Sequence, residues 1–310
     1  MSGLTRRGFT LVELLIALVL LGVVTAALYR ILVNNQRIYQ AQTQRIDLQQ
    51  NIRAAATVLP ADLRETDAND GDITAATATS ITFRAMRWMG FICTPPVTGG
   101  RVENTVLVMT LTNKKLFAIR LPAVGDSVLI RYEGDEGTTK DDSWVPGVIT
   151  LKGTANCPGT PTYPDNTPGR LLTVSAYMHN AATPPALPSP NDPDAIYAGD
   201  PVRGFQTISY LLYQPAGDTS YYVGLQTAAG TQPIIGPVLS NGLEFAYFDS
   251  TGTNLPAPLS ASDLLKVERV DITLRARTAQ PVRLASGATL LGNVVDSVTT
   301  RVTVRNNRRY

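Results

Sequence analysis

One uninterrupted apolar run near the N-terminus constrains this 310-residue chain more than any other feature. The run covers residues 9–29, and Glu13 is its only charged residue. Its length is close to the roughly 20 residues that a helix needs to cross a bilayer. The apolar core of an ordinary secretory signal is shorter, about 7–15 residues. We therefore expect a membrane-spanning helix, with an uncleaved signal anchor as the simplest alternative.

Basic residues flank this run on both sides. Arg6 and Arg7 precede it, and Arg30 and Arg37 follow it. Positive charge in a short N-terminal tail favours keeping that tail in the cytoplasm. The flanking charges therefore predict that everything after the run is exported.

Glu13 is out of place in such a run. A carboxylate at membrane depth costs about 2–3 kcal/mol even on the insertion scale that penalises it least. It therefore calls for a positive partner at the same depth. The alternative is that Glu13 is merely tolerated near the membrane boundary.

The residues around Glu13 form a recognisable motif. The ten residues that begin at Arg7, RGFTLVELLI, resemble the prepilin signature of type IV pilins and type II secretion pseudopilins. The resemblance implies that a prepilin peptidase cleaves between Gly8 and Phe9, and that Phe9 then becomes the N-methylated N-terminus. Glu13 becomes the fifth mature residue, and it can pair with the Phe9 amine of a neighbouring subunit during filament assembly.

The same resemblance implies a location and a set of partners. The precursor is expected in the bacterial inner membrane as a single-pass protein with its C-terminal domain in the periplasm or outside the cell. It then enters a pilus or pseudopilus. The implied partners are other pilins or pseudopilins, the prepilin peptidase and an inner-membrane assembly platform, with no cofactor and no enzymatic activity.

The helix is predicted to continue beyond the membrane. Side chains recur at spacings of three and four, which indicates an amphipathic helix: Ile38, Ala41, Arg45, Leu48, Ile52, Ala55 and Leu59. Pro60 is expected to end the pattern or to begin a short new turn. The predicted organisation is a leader at 1–8, a transmembrane half at 9–29, an amphipathic half at 30–59 and an exported domain at 60–310.

After Pro60 the pattern changes to the alternation typical of strands. Strands are predicted at residues 80–86, 105–111, 127–132, 171–177, 205–213, 220–225, 243–248, 267–277 and 297–305. The fold class is therefore α+β, with the long N-terminal helix packed on a mainly antiparallel β domain. Long loops are expected at 158–166 and 183–201, and 184–193 is the only candidate internal boundary of an otherwise single domain.

The part of the chain that is predicted to be exported supports two further predictions. Its C-terminal strands resemble those of PilW/PulJ-type minor pilins, which favours a minor subunit. Cys93 and Cys157 both lie there, and a pair of cysteines in an oxidising compartment is expected to form a disulfide. In the chain-entropy model such a bridge adds roughly 3–4 kcal/mol of stability.

The sequence gives little support for a metal site or a nucleotide-binding site. Two cysteines and one histidine, His179, are too few for a zinc cluster, which normally needs four ligands. No nucleotide-binding motif is present. Two acidic clusters could be calcium sites, but neither has EF-hand spacing, so solvated turns are expected. The first comprises Asp67, Asn69, Asp70 and Asp72; the candidates in the second are Asp135, Glu136, Asp141 and Asp142.

The C-terminal third is rich in arginine, which favours a solvated strand face, with contact to DNA as the alternative. The residues are Arg269, Arg275, Arg277, Arg283, Arg301, Arg305, Arg308 and Arg309.

The sequence thus predicts a minor pilin that initiates or caps a type IV pilus. The alternatives are a minor pseudopilin of a type II secretion system, a pilin-anchored adhesin or DNA-binding module, and a membrane-tethered periplasmic enzyme.

Overall fold

The structure is a computed structural model, and it describes residues 10–98, 105–132, 143–158, 167–176, 196–283 and 291–305. Its first element is one long helix, α1 (Leu11–Leu63). Thr10 is the N-cap of α1 and accepts a hydrogen bond from the Glu13 N–H through its side chain. The predicted continuation of the helix far beyond the apolar run is present.

The helix does not end at Leu59, because it continues through Pro60 to Leu63. Pro60 lacks the N–H that an interior helical position donates, so it weakens the helix locally. Leu59 and Leu63 are fully buried on the same side and hold the last turn in place. The Pro60 carbonyl still accepts a hydrogen bond from the Arg64 N–H at 3.0 Å.

The rest of the chain is mainly β structure. Its strands are β1 (Ile73–Ala76), β2 (Ser80–Thr98), β3 (Thr105–Thr112), β4 (Phe117–Ala118), β5 (Ser127–Tyr132), β6 (Ser143–Asn156), β7 (Pro168–Ala176), β8 (Pro201–Tyr213), β9 (Tyr221–Thr227), β10 (Gly230–Phe248), β11 (Asn254–Leu255), β12 (Arg269–Arg277), β13 (Val282–Arg283), β14 (Leu291–Gly292) and β15 (Val295–Thr303). A 3₁₀ turn (Asn113–Lys115) precedes β4, and a short helix, α2 (Ala261–Leu264), precedes β12. This confirms the α+β class with a mostly antiparallel sheet.

The strands form an open sheet and a closed barrel, which are connected to each other. One is an open sheet in which the first part of β2 pairs with β1 and β8, and β8 continues through β9, β10 and β12 to β15. The other is a closed ring, which we call the barrel: β2 pairs with β3, β3 with β7, β7 with β6, β6 with β5, β5 with β8, and β8 again with β2. Both β2 and β8 are therefore shared between the open sheet and the barrel.

The open sheet and the barrel each have a separate hydrophobic core. Helix α1 and the open sheet share one core, and we call this part the helix–sheet module; it is filled by residues such as Leu59, Phe83 and Tyr247. The barrel encloses a second core that includes Trp88, Met109 and Ile130. The β2–β8 register shifts between Met86 and Trp88. This irregularity is where the two strands pass from one core to the other.

The structure contains more strand than the sequence pattern predicted, for example in β2, which continues to Thr98. Strand β6 was not expected, because Pro146 and Gly147 interrupt its alternation. The first half of β10 was also missed, since Pro233 and Pro237 are poor strand formers. The predicted loop at 183–201 lies mainly outside the described residues, and its described end already carries the start of β8.

Candidate assembly site

Contacts within the N-terminal turn of α1 hold the Glu13 carboxylate in place. One carboxylate oxygen of Glu13, Oε2, accepts hydrogen bonds from the Thr10 N–H and the Thr10 hydroxyl, both at 3.0 Å. The Glu13 N–H donates in return to the Thr10 hydroxyl oxygen at 3.3 Å. This reciprocal capping box fixes the carboxylate at the helix start. A carboxylate accepts about four hydrogen bonds, so Glu13 retains capacity for a cation.

The two residues N-terminal to Thr10 that matter most, Gly8 and Phe9, lie outside the described residues. The structure therefore leaves their predicted cleavage and methylation as predictions.

The apolar half of α1 packs against no other element among the residues that the structure describes. Its side chains from Leu11 to Leu32 are largely exposed, although they are the most apolar of the protein. By length and composition, α1 is the one helix among the described residues that could cross a membrane.

The second half of α1 has two different faces. Four residues of the predicted stripe, Leu48, Ile52, Ala55 and Leu59, are buried against the sheet, whereas Ile38 and Arg45 are exposed. The domain therefore covers only the last third of the helix. A second apolar stripe at heptad spacing lies on the opposite side and is also exposed: Leu32, Tyr39 and Ile46.

That second stripe was not recognised in the sequence. Residues seven apart lie on nearly the same side of a helix, and a stripe of this spacing is what a neighbouring helix packs against. The signal could have been found by testing heptad spacing as well as the three-and-four spacing of the buried face.

The two cysteines form the disulfide that the sequence predicts. Cys93 lies in β2 and Cys157 directly follows β6, with their Cα atoms 5.5 Å apart. Both side chains are buried. The bridge therefore ties together two strands of the barrel that are not hydrogen-bonded neighbours.

The first acidic cluster contacts arginine and tryptophan side chains. Asp72 lies 3.3 Å from Arg203 and Asp70 lies 3.5 Å from it. The indole N–H of Trp144 donates to Asp70 at 2.6 Å, and the guanidinium of Arg203 stacks on the Trp144 ring at 4.1 Å. These contacts fasten the loop after α1 to the barrel, and we call them the joint.

The electrostatics of the joint reflect its burial. Burial raises the pKa of Asp72 above its ordinary value, and Arg203 and Arg84 only partly oppose this. No group of three or more potential metal ligands is gathered among the described residues. The calcium candidates Asp135, Glu136, Asp141 and Asp142 lie outside them.

Four of the C-terminal arginines, Arg269, Arg275, Arg277 and Arg301, make side-chain contacts within the protein. Arg269 bonds Asp271 at 3.0 Å and stacks on Phe248 at 3.9 Å. Arg275 pairs with Glu244 at 2.7 Å. A surface whose positive charges are compensated in this way offers little attraction to DNA phosphates. Arg308 and Arg309 lie outside the described residues.

A second buried acid, which the sequence did not single out, anchors the barrel. Asp126 accepts two hydrogen bonds from Arg120, both at 2.8 Å, and one from the indole N–H of Trp88 at 3.2 Å. Burial raises the pKa of Asp126, but the bonds from Arg120, the Ala123 N–H and Trp88 outweigh it and hold that pKa below its ordinary value.

Comparison with known families gives one match. Residues 4–29 match the prokaryotic N-terminal methylation motif. Comparisons with curated proteins and with solved structures found no match. The chain therefore carries the signature of type IV pilins and pseudopilins, a class of structural subunits. Together with the apolar part of α1, the motif indicates anchoring in a membrane by a single N-terminal helix.

Proposed function

We propose that this chain, which carries the signature of type IV pilins and pseudopilins, is a minor pilin that takes the tip position of a type IV pilus. A prepilin peptidase at the cytoplasmic face of the bacterial inner membrane cleaves it after Gly8. Phe9 is then methylated, and an assembly platform moves the subunit from the membrane into the filament together with other pilins. The domain at 60–310 is exported.

Glu13 supports the assembly step. Its carboxylate is held at the start of α1 by Thr10 and keeps acceptor capacity for a cation. The amine that cleavage would create on Phe9 of a neighbouring subunit has the required charge. An unpaired carboxylate is unfavourable in lipid, so this pairing favours transfer from bilayer to filament.

The heptad stripe of α1 supports helix packing in the filament. Leu32, Tyr39 and Ile46 face away from the domain and are exposed. Neighbouring pilin helices packed on this side would bury the stripe.

The position of the barrel is the observation that carries the tip assignment. Partway along α1, Gln44 accepts a hydrogen bond from the Gln280 N–H and Asn51 donates one to the Gly236 carbonyl, both in the helix–sheet module. At the C-terminal end of α1, Asp62 lies 3.6 Å from Arg87, and the joint fastens the loop that follows α1 to the barrel. The barrel thus lies beyond the C-terminal end of α1, away from the membrane.

In a filament with its helices aligned along the axis, this end of a subunit faces the next subunit above it. A barrel there would occupy space that the next subunit needs, which favours a terminal position. A terminal subunit is needed in few copies per filament, which agrees with the proposed minor role. Filaments grow by head-to-tail contacts between subunits, and a subunit that blocks one of the two contacts can only end the chain.

The test is to localise the protein on isolated filaments. Gold-labelled antibodies against residues 60–310 should mark one end of each pilus. Label distributed along the shaft would contradict the tip assignment.

A minor pseudopilin of a type II secretion system is the alternative, because the methylation motif is common to both systems. Disruption of the gene separates the two. Loss of surface pili with normal protein secretion supports the pilus, and loss of secretion with normal pili supports the secretion system.

A further inference from the structure

The segment that joins β3 to β5 exposes a concentration of hydrophobic side chains. We call residues 113–125 the barrel loop; it contains the 3₁₀ turn and β4. Ten large hydrophobic side chains outside α1 are exposed among the residues that the structure describes, and four of them lie in this loop. They are Phe117, Ile119, Leu121 and Val124, with exposed fractions of 65%, 79%, 56% and 56%. Single exposed hydrophobic residues are ordinary, whereas a cluster of this kind marks an interaction site.

Hydrogen bonds hold the barrel loop in place. The Ile119 N–H donates to the Arg87 carbonyl of β2 at 2.9 Å. Arg120 donates two hydrogen bonds to Asp126, both at 2.8 Å, and the Ala123 N–H donates a third at 2.9 Å. The hydrophobic side chains are therefore exposed on a segment that is tied to the barrel. A segment fixed in this way loses little conformational entropy when it binds a partner.

Positive charge accompanies the hydrophobic side chains. Lys114 and Lys115 are exposed at the start of the barrel loop, and Arg120 lies in its middle. The loop contains no acidic residue. Asp126, which directly follows it, is buried and accepts the hydrogen bonds from Arg120. The surface of the loop is therefore both hydrophobic and basic.

This combination suits the surface of a membrane that contains anionic lipids. Proteins bind such surfaces by burying hydrophobic side chains at the boundary between headgroups and acyl chains, while lysine and arginine are attracted to the anionic headgroups. A lysine can lay its stem along apolar surface and keep its ammonium among the headgroups. A side chain as exposed as Ile119 projects from the barrel, and a bilayer accepts it without the matching pocket that a protein partner would have to supply.

We propose that the barrel loop binds a second membrane by inserting its four exposed hydrophobic side chains among anionic lipids. The membrane that holds α1 is out of its reach. The part of α1 from Arg30 to Leu63 is about 50 Å long, and the barrel lies beyond its C-terminal end. The bilayer that the loop contacts therefore belongs to another surface.

The biological consequence rests on the proposed function. A barrel at the tip of a pilus would bring the loop to a distant membrane first, so the filament would attach to it directly. The binding of lipid by the loop does not depend on filament assembly. Label along the filament shaft would therefore contradict the tip assignment and leave the lipid site intact.

The experiment uses the full chain in nanodiscs of phosphatidylcholine, which enclose the apolar part of α1. Ile119→Cys is labelled with a dye whose emission depends on polarity, and the native cysteines are already joined to each other. Vesicles of phosphatidylcholine, with or without phosphatidylglycerol, are then added. The emission should shift to the blue and rise several-fold with the anionic vesicles, and change little with the neutral ones.

The matched control is Val295→Cys with the same dye. Val295 is 49% exposed and lies in β15, the last strand of the open sheet. Its emission should stay unchanged with both kinds of vesicle, because it lies outside the barrel loop. An equal shift at the two positions would show non-specific contact and overturn the proposal.

Two unlabelled variants separate the hydrophobic from the electrostatic contribution. Vesicle flotation should show that Ile119→Asp abolishes binding to anionic vesicles. Lys114→Gln combined with Lys115→Gln should weaken it roughly tenfold, because each basic residue near an anionic surface adds a similar small increment. The fluorescence of Trp88 and Trp144 checks that the barrel of each variant is folded.

Three results would contradict insertion into lipid. They are a dye at position 119 that does not respond to anionic vesicles, binding that persists in folded Ile119→Asp, and equal binding to neutral and anionic vesicles. The first of these would leave the barrel loop to a protein partner.

Discussion

Glu13 is the residue on which the proposed assembly mechanism depends. Its carboxylate is already bound to Thr10 of its own chain, so pairing with an amine does not require a search through side-chain conformations. A group held in place before binding loses less entropy when it binds.

Replacing Glu13 by valine should separate insertion from assembly. Valine favours the membrane, so Glu13→Val should insert and be cleaved normally, but incorporation into filaments should fall sharply because no carboxylate meets the neighbouring amine. Quantifying the protein in sheared filaments and in membranes checks this. Glu13→Asp is the matched control and should keep part of the incorporation, and incorporation of Glu13→Val at the wild-type level would remove the pairing role.

The barrel requires a residue without a side chain at position 204, which is Gly204. A Cβ atom at this position would overlap the Trp88 ring, which is buried in the barrel core. Overpacking of a well-packed core costs typically 1–3 kcal/mol. We expect Gly204→Ala to lower the free energy of unfolding of the barrel by about 3 kcal/mol.

Fluorescence is a suitable measurement, because both tryptophans of the chain, Trp88 and Trp144, belong to barrel strands. Gly153→Ala is the matched control, since its Cβ would lie an ordinary 3.6 Å from Leu171. Equal unfolding midpoints for the two variants would show that the strands accommodate the added methyl group at Gly204.

At the scale of elements, the disulfide and the shared strands hold the barrel. Cys93 and Cys157 close a loop with a sequence separation of 64. Replacing both by serine should lower the stability of the barrel by roughly 3–4 kcal/mol in the chain-entropy model. Denaturant unfolding followed by tryptophan fluorescence should show this shift, while the helical circular dichroism signal of α1 unfolds as in the wild type. A simultaneous loss of both signals would mean that the two cores unfold as one unit.

The helices and strands also show how much of the fold the sequence predicts. Helix α1 and the strands with clear alternation were predictable, because one face of each is buried, either in the helix–sheet module or in the barrel. Strand β6 was not, since Pro146 and Gly147 hide it. The extra turn of α1 at Pro60 depends on the burial of Leu63, which is a tertiary contact and has no local signal.

At the scale of the whole molecule, strands β2 and β8 contribute side chains to both hydrophobic cores. Alternation along β2 and β8 predicts strands but carries no information on which partners close a ring, so the barrel could not be foreseen. The same holds for the joint, in which Arg203 meets Asp70, Asp72 and Trp144 from distant parts of the chain. The candidate site was easier to predict from the sequence, because Gly8, Phe9 and Glu13 belong to a short local motif.

The architecture joins a single anchoring helix to a β domain with two hydrophobic cores. Cleavage after Gly8 is the step that would turn this anchored precursor into a filament subunit, since it creates the amine that Glu13 needs.

Mass spectrometry of the N-terminus of the protein isolated from the bacterium that produces it tests this step most directly. We expect a mature chain that begins at Phe9 and carries one methyl group on its amine. A protein that still carries Met1 through Gly8 in its assembled form would contradict the account.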